Sequence, residues 1–571
     1  MYEANGIHVL SEVVSSGDAY LAQLYALKCL GWATSDDAKL SESAFEELRE
    51  SVREATTQEL VSLVDVLQHG SEQEKDDGAV LCACIATRGQ RDALRGVGVL
   101  PRLIEMLKDG TSLQTLWAAN SLGTLANSTD ETREAIASER ATPPLVALLR
   151  AGTAEQCQEA ACTLGNLATD SGNSAAIARE GAISPLVGLV RTGTDEQKGW
   201  AVYALRQLSD NDENRVAIAR EDGIPPLVAL LQVGTTEQSE EATRVLSNLA
   251  VTNTPIRAMI ARDGAIPPLI ALIREGTDDL KKYAAYALGN LSFENEENSE
   301  TIGRGGAILP LVALLRSEIE DQKESAAFAL GMLASTNEWN RTAIGREGAI
   351  SPLVGLLRAG TDEQKKEAMR ALANLCAYND TNSKEIEREG AISSLVVILQ
   401  EGPDDQKQAA ASALANLASY NDENRGAITS EGAISLLVAL LRAGTDEQKE
   451  AAACALGNLA IQNKAGCTVI MGDGAVSSLV ALVRTGTNPQ KQWAAFALNQ
   501  LAGDDEEYRV AIANEGAIPP LVKLERTGTD QQRTYAKLAL GNLAANEANS
   551  TAIALERASS RRPLRHARFQ M

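Results

Sequence analysis

Three histidines, eight cysteines and a large excess of carboxylates are the residues of this 571-residue chain that could carry acid–base, nucleophilic or metal chemistry. The histidines are His8, His69 and His566, two of them near the ends, so a Ser–His or Cys–His site is hard to assemble. The cysteines are Cys29, Cys82, Cys84, Cys157, Cys162, Cys376, Cys454 and Cys467. They form no CxxC pair and lie mostly in Ala/Leu-rich stretches, as small core residues do. Cys82-Ala-Cys84 directs its two side chains to different sides of a helix. No zinc site, disulfide framework, phosphate loop or GxSxG elbow is expected, and no metal or cofactor. The carboxylates are many, but they recur at one period, and recurrence marks architecture where a catalytic pocket would occur once. A non-enzyme is expected.

The net charge of −24 makes the chain a poor general ligand for nucleic acid or anionic membrane, whose phosphates need Lys and Arg opposite them. It favours solubility and basic partners, although acids that merely solvate loops and helix starts would give the same balance. The start, Met1-Tyr-Glu-Ala-Asn, carries no signal region, and no apolar run approaches the ~20 residues of a membrane span. A reducing compartment is expected, the cytoplasm with the nucleus as a second location.

The elements that position any site are set by an internal repeat. The leucine of a Pro-Leu-Val core recurs as Leu103, Leu145, Leu186, Leu227, Leu269, Leu311, Leu353, Leu395, Leu437, Leu479 and Leu521, at spacings of 42, 41, 41 and then 42 seven times. Such self-similarity is the sign of stacked repeats, which add units instead of enlarging one core. With 44% hydrophobic but only 4% aromatic residues, thin layers of Ala, Leu and Val are expected.

Each unit reads as three helices. A short one (Glu213-Asn-Arg-Val-Ala-Ile-Ala-Arg) ends at a Gly such as Gly181, Gly264 or Gly432, where a left-handed residue is needed. A second helix opens with Pro, as at Pro225-Pro226, and ends at Arg150, Arg358 or Arg442, a favourable charge for its C-terminus. Thr361-Asp-Glu-Gln364 then reads as a capping box opening a third, Ala- and Leu-rich helix. No segment alternates long enough for a strand.

Residues 1–95 are a divergent N-terminal part, with weak matches at Leu10–Gly17 and Ala26–Ala33, a charged insert from Ser35 to Gln58, and a better match at Leu63–Lys75. Residues 96–556 form the array of eleven clear repeats. Residues 557–571 are a basic tail with Arg561, Arg562, Arg565 and Arg568, read as disordered, as lying on the acidic body, or as a targeting signal. Ser317–Lys323 lacks the Gly-Thr turn, and Gly402-Pro403 replaces it, so local irregularity is expected at the first of these.

The unit Gly-Ala-Ile-x-Pro-Leu-Val-x-Leu-Leu-Arg-x-Gly-Thr, followed by Ala-Leu-x-Asn-Leu-Ala, resembles the armadillo repeat over residues ~60–556. Among its members the chain looks most like many-repeat, vacuolar-protein-8-like and plant-type proteins, and more distantly like importin-α. HEAT repeats, of similar period, usually lack this Gly-Ala-Ile turn and the third-helix Asn. The resemblance implies an all-α, right-handed superhelical solenoid of about 12–13 three-helix repeats. It implies a concave groove, lined by third helices, that binds extended peptides.

The resemblance assigns the groove asparagines to the position 21 residues after each repeat leucine: Asn166, Asn248, Asn290, Asn374, Asn416, Asn458 and Asn542. In groove-binding members this residue bonds the ligand's main chain, and an amide offers both donor and acceptor for that. The alternative is an Asn that bonds only within its repeat. Thr124, Gln207, Met332 and Gln500 depart from the pattern. At 14 and 17 residues after the leucine stand Trp117, Trp200, Tyr203, Tyr283, Tyr286, Phe328, Trp493 and Phe496, with Tyr535. Rings on a groove can stack on Lys or Arg, and the alternative is packing between repeats. Acids join them, Glu159, Glu241 and Glu367 deepest, while Lys282, Lys366, Arg244 and Arg370 break the acidity in the middle. The expected function is a scaffold binding extended, basic segments of other proteins, of undetermined oligomeric state. The alternatives are an importin-α-like import adaptor and a substrate-recruiting subunit of a ubiquitin ligase. No U-box, BTB or motor motif is visible, and no basic importin-β-binding segment.

Overall fold

The computed structural model describes residues 55–87, 89–503 and 505–559. Its contacts divide the chain into two compact units, Met1–Pro268 and Leu269–Met571, each a stack of three-helix repeats. No strand occurs among the described residues. In the first unit one repeat is Ser171–Arg179, Ile183–Thr192 and Asp195–Leu208, and the next is Asp212–Arg220, Ile224–Val233 and Thr236–Thr252. The second and third helices reach back to Thr57–His69 and Glu72–Thr87. In the second unit the third helix recurs from Asp278–Ser292 to Asp530–Leu543. The sequence matches at Leu10–Gly17 and Ala26–Ala33 lie outside the described residues, as does the insert up to residue 54.

Every repeat leucine from Leu103 to Leu521 is 0% exposed, so the periodic Leu is the centre of each layer. Burying such a side chain contributes roughly 1.5–3 kcal/mol. Cys82 and Cys84 are both fully buried, because helix Glu72–Thr87 is covered on more than one side.

The connections follow the expected chemistry. Gly181 sits at φ 80°, in the left-handed region that lets the short helix turn into the second. Arg140 (φ 63°) and Asp222 (φ 59°) hold the corresponding turns without glycine. The capping box forms repeatedly. Gln197 N donates to Thr194 Oγ1 at 3.3 Å, and Thr194 N donates to Gln197 Oε1 at 2.9 Å. The same glutamine also reaches the neighbouring repeat, where its Nε2 donates to the Ala154 carbonyl at 3.0 Å. Gln490 does this in the second unit, to Asp446 O at 2.9 Å. Both are nearly buried.

The arginine that ends the second helix also crosses repeats. Arg150 donates to Gly181 O at 3.2 Å and Arg358 to Glu389 O at 2.6 Å, both on the turn of the following repeat. The irregularity expected near Ser317 takes in the second helix, Ile308–Leu314, which stops short of Arg316, as well as the cap. Ile319 and Pro403 precede their third helices without a side-chain cap, yet Gln322 and Gln406 still bond Asp278 Oδ1 and Asp362 Oδ1, at 3.0 and 2.7 Å. At the far end the last helix is Glu547–Ser559, so Arg557 is helical where the sequence suggests the tail begins. Residues 560–571 lie outside the described residues. No single helix among the described residues is long and apolar enough to cross a membrane.

Candidate peptide-binding face

The third helices present their sequence-variable residues on one face. An Ala/Leu stripe turned to the core leaves the positions 14, 17 and 21 after each repeat leucine on the opposite side, one to two turns apart.

The asparagine ladder is only partly available to a ligand. Asn374 Nδ2 donates to the Gly331 carbonyl at 2.9 Å, Asn458 Nδ2 to Ala415 O at 2.9 Å, and Asn542 Nδ2 to Asn499 O at 3.1 Å. Each acceptor belongs to the preceding third helix, 43 residues back. Asn166 does the same to Gly123 O at 3.0 Å, and its Oδ1 accepts from the Tyr203 hydroxyl at 3.1 Å. Asn248 bonds Ser209 Oγ at 2.9 Å and Asp210 Oδ1 at 3.1 Å. The resemblance suggests amides offering both donor and acceptor to a peptide; here these five amide donors already tie one repeat to the next. Asn416 differs, being exposed with no hydrogen-bond partner. Asn290 is half-buried, and Met332 interrupts the ladder as expected, buried among apolar neighbours.

The rings behave in the opposite way. Trp117, Trp200, Tyr203, Tyr283, Tyr286, Phe328, Trp493, Phe496 and Tyr535 all retain exposed surface, and Trp200 is 38% exposed. Packing between repeats uses their edges. The Tyr203, Phe328 and Phe496 rings lie over Gly165, Gly289 and Gly457 of the preceding third helix. Trp200 meets Tyr203 edge-on at 5.8 Å, and Tyr286 meets Phe328 at 5.6 Å. Trp493, Phe496 and Tyr535 form a run, with centroids 5.8 and 5.2 Å apart. Some rings already carry a cation of the chain itself, with the Arg206 guanidinium 5.6 Å from Tyr203 and Lys282 Nζ 5.3 Å from Tyr283.

The acids divide into two kinds. Of the deep acids, Glu241 pairs with Arg206 at 2.7 Å and Glu367 with Arg370 at 3.2 Å, and nearer the helix start Asp321 pairs with Lys282 at 2.6 Å. Glu324 accepts from the Tyr286 hydroxyl, which burial and this bond push far above the usual phenol range. Glu159 has no cation beside it. It accepts from Asn120 Nδ2 at 3.0 Å, and burial holds its carboxyl above the usual range. Burial and the nearby Glu447 do the same to Glu450, which has no partner. Glu450 lines an open cleft of about 570 Å³ with Pro489, Trp493, Thr529 and Asp530.

Two features lay beyond sequence reading. Trp339, on a first helix, is 42% exposed with the Arg304 guanidinium 4.9 Å from its centroid, away from the periodic positions. The capping glutamines carry an inter-repeat bond that a single-repeat motif cannot reveal.

Stacked three-helix repeats, a buried leucine per layer and a third-helix face carrying the variable residues define a helical-repeat interaction protein. The armadillo/β-catenin-like repeat model matches residues 129–169 and 421–461, and the model of the plant U-box protein ARM repeat region matches residues 183–400. The chain belongs to the armadillo-repeat family, a family of interaction scaffolds generally without enzymatic activity. Among solved structures it is similar to the crystal structure of an engineered protein from the Northeast Structural Genomics Consortium, at 32% identity and a TM-score of 0.61. That alignment covers 70% of this chain and 98% of the other. No curated protein matches.

Proposed function

We propose that this protein binds extended segments of partner proteins along its third-helix faces, with basic side chains preferred in the first unit. The observation that supports it most is the placement of Glu159. It is a half-buried carboxylate without a cationic partner, and the third helices on either side of its own carry Trp117 and Trp200, both with exposed surface. A Lys or Arg there would gain an ion pair in a poorly solvated place and a ring to stack on. Main-chain amides of a bound segment would find Oδ1 acceptors on Asn248, Asn374, Asn458 and Asn542, whose Nδ2 groups are already engaged. The test is titration of Lys/Arg-rich and acidic peptides at several salt concentrations. Equal affinity, or preference for the acidic peptide, would sink this reading.

A second reading is supported by the match to the plant U-box protein ARM region: the chain acts as a substrate-recruiting component of ubiquitin ligation, in the cytoplasm or nucleus. Affinity purification separates the two. Ligase components among the co-purified proteins favour recruitment, and importin-β would favour an import adaptor instead.

A further inference from the structure

We propose that the Arg-rich segment 560–571 of this same chain docks in the cleft between the last third helices of the second unit. The cleft, of about 570 Å³, is lined by Glu450 and Trp493 from two successive third helices and by Thr529 and Asp530 at the start of the next. Glu450 has no hydrogen bond or ion pair, and Trp493 retains exposed surface beside Phe496. This is a carboxylate and a ring waiting on a cation. The fold already makes such contacts elsewhere, with Arg304 4.9 Å from the Trp339 centroid.

The segment starts beside the cleft. The last helix, Glu547–Ser559, is held by Arg557, whose guanidinium donates to both oxygens of Glu525 at 2.8 and 3.0 Å. Glu525 lies in Ile518–Thr527, which turns through Gly528 into Thr529 and Asp530 of the cleft wall. From Glu525 to Thr529 the chain can span no more than ~14 Å, while residues 560–571 can extend roughly 40 Å. That segment carries Arg561, Arg562, Arg565 and Arg568 and no Asp or Glu, opposite in sign to Glu450, the carboxylate of the cleft left over once Asp530 has paired with Arg533. Tethered so closely, it is present at an effective concentration of about millimolar, enough to keep a weak basic competitor out of the last repeats. The inference stands on the cleft and does not require that any partner use the rest of the face.

The experiment titrates a fluorescein-labelled peptide of residues 560–571 into the full chain and into the full chain bearing R561S, R562S, R565S and R568S. With the competing segment neutralised, the peptide should bind about 10-fold more tightly. In that background Glu450→Gln or Trp493→Ala should weaken it about 5-fold. Val233→Ala, at an exposed position on a second helix of the first unit, should leave it unchanged. Hydrogen exchange gives a second readout on unaltered cleft residues: the amides of 488–493 should exchange faster when the arginines are replaced. Equal peptide affinity of the two chains, or indifference to both cleft substitutions, overturns the proposal.

Discussion

A Cβ built on Gly457 would lie 2.6 Å from Cδ1 of Phe496 in the following repeat. The glycine before the ladder asparagine and the ring of the next third helix are therefore one packing unit. Gly165 with Tyr203 and Gly289 with Phe328 repeat it at 2.7 and 2.6 Å. Gly457→Ala should displace the ring and lower stability by about 1–3 kcal/mol. Gly541, with nothing within 4 Å, should accept alanine neutrally or with a gain of up to ~1 kcal/mol. Urea midpoints measure both, and a similar effect at the two sites would refute the unit.

Gln490 caps its own helix and bonds the repeat before it, with 2% exposure. Gln490→Ala should destabilise by about 1–3 kcal/mol, since it leaves buried partners unsatisfied. Gln531→Ala, at an exposed position, should stay within about 0.5 kcal/mol. Amide exchange should locate the loss at the two repeats joined by Gln490.

Asn458 is 7% exposed and donates to Ala415 O and Ser419 Oγ, whereas Asn416 is exposed and unpartnered. Asn458→Ala should lower the unfolding free energy by about 1–2 kcal/mol, and Asn416→Ala by no more than ~0.5 kcal/mol. Loss of peptide affinity in Asn416→Ala, at unchanged stability, isolates recognition from scaffolding. Unchanged affinity there removes Asn416 from the binding face.

Burial holds the Glu159 carboxyl above its ordinary value of 4.5, so the folded chain binds that proton more tightly than the unfolded chain. The resulting stabilisation is complete below 4.5 and is lost as pH rises through the folded value. Glu159→Gln keeps an acceptor for Asn120 and does not titrate. The variant should melt above the native chain near neutral pH, the gap closing as pH falls toward 4.5. Thermal midpoints between pH 4 and 8 check this, and a gap independent of pH would contradict it.

The repeat, the three helices of each unit, the caps and the turn glycines were legible in the residues because they rest on local rules. The Thr–Gln box, a left-handed glycine and a leucine every 42 residues each act within one repeat or between identical ones. The candidate face was legible as a set of positions, and its aromatic members all kept exposed surface.

What each side chain does there was decided by tertiary structure, because stacking brings residues about 43 positions apart into contact. That step turned the asparagine amides from ligand donors into ties between repeats. It paired Glu241 with Arg206 of the preceding repeat and left Glu159 and Glu450 without cations. Composition makes these carboxylates alike; only the neighbour supplied by the next repeat tells a paired one from one still able to take a partner's charge.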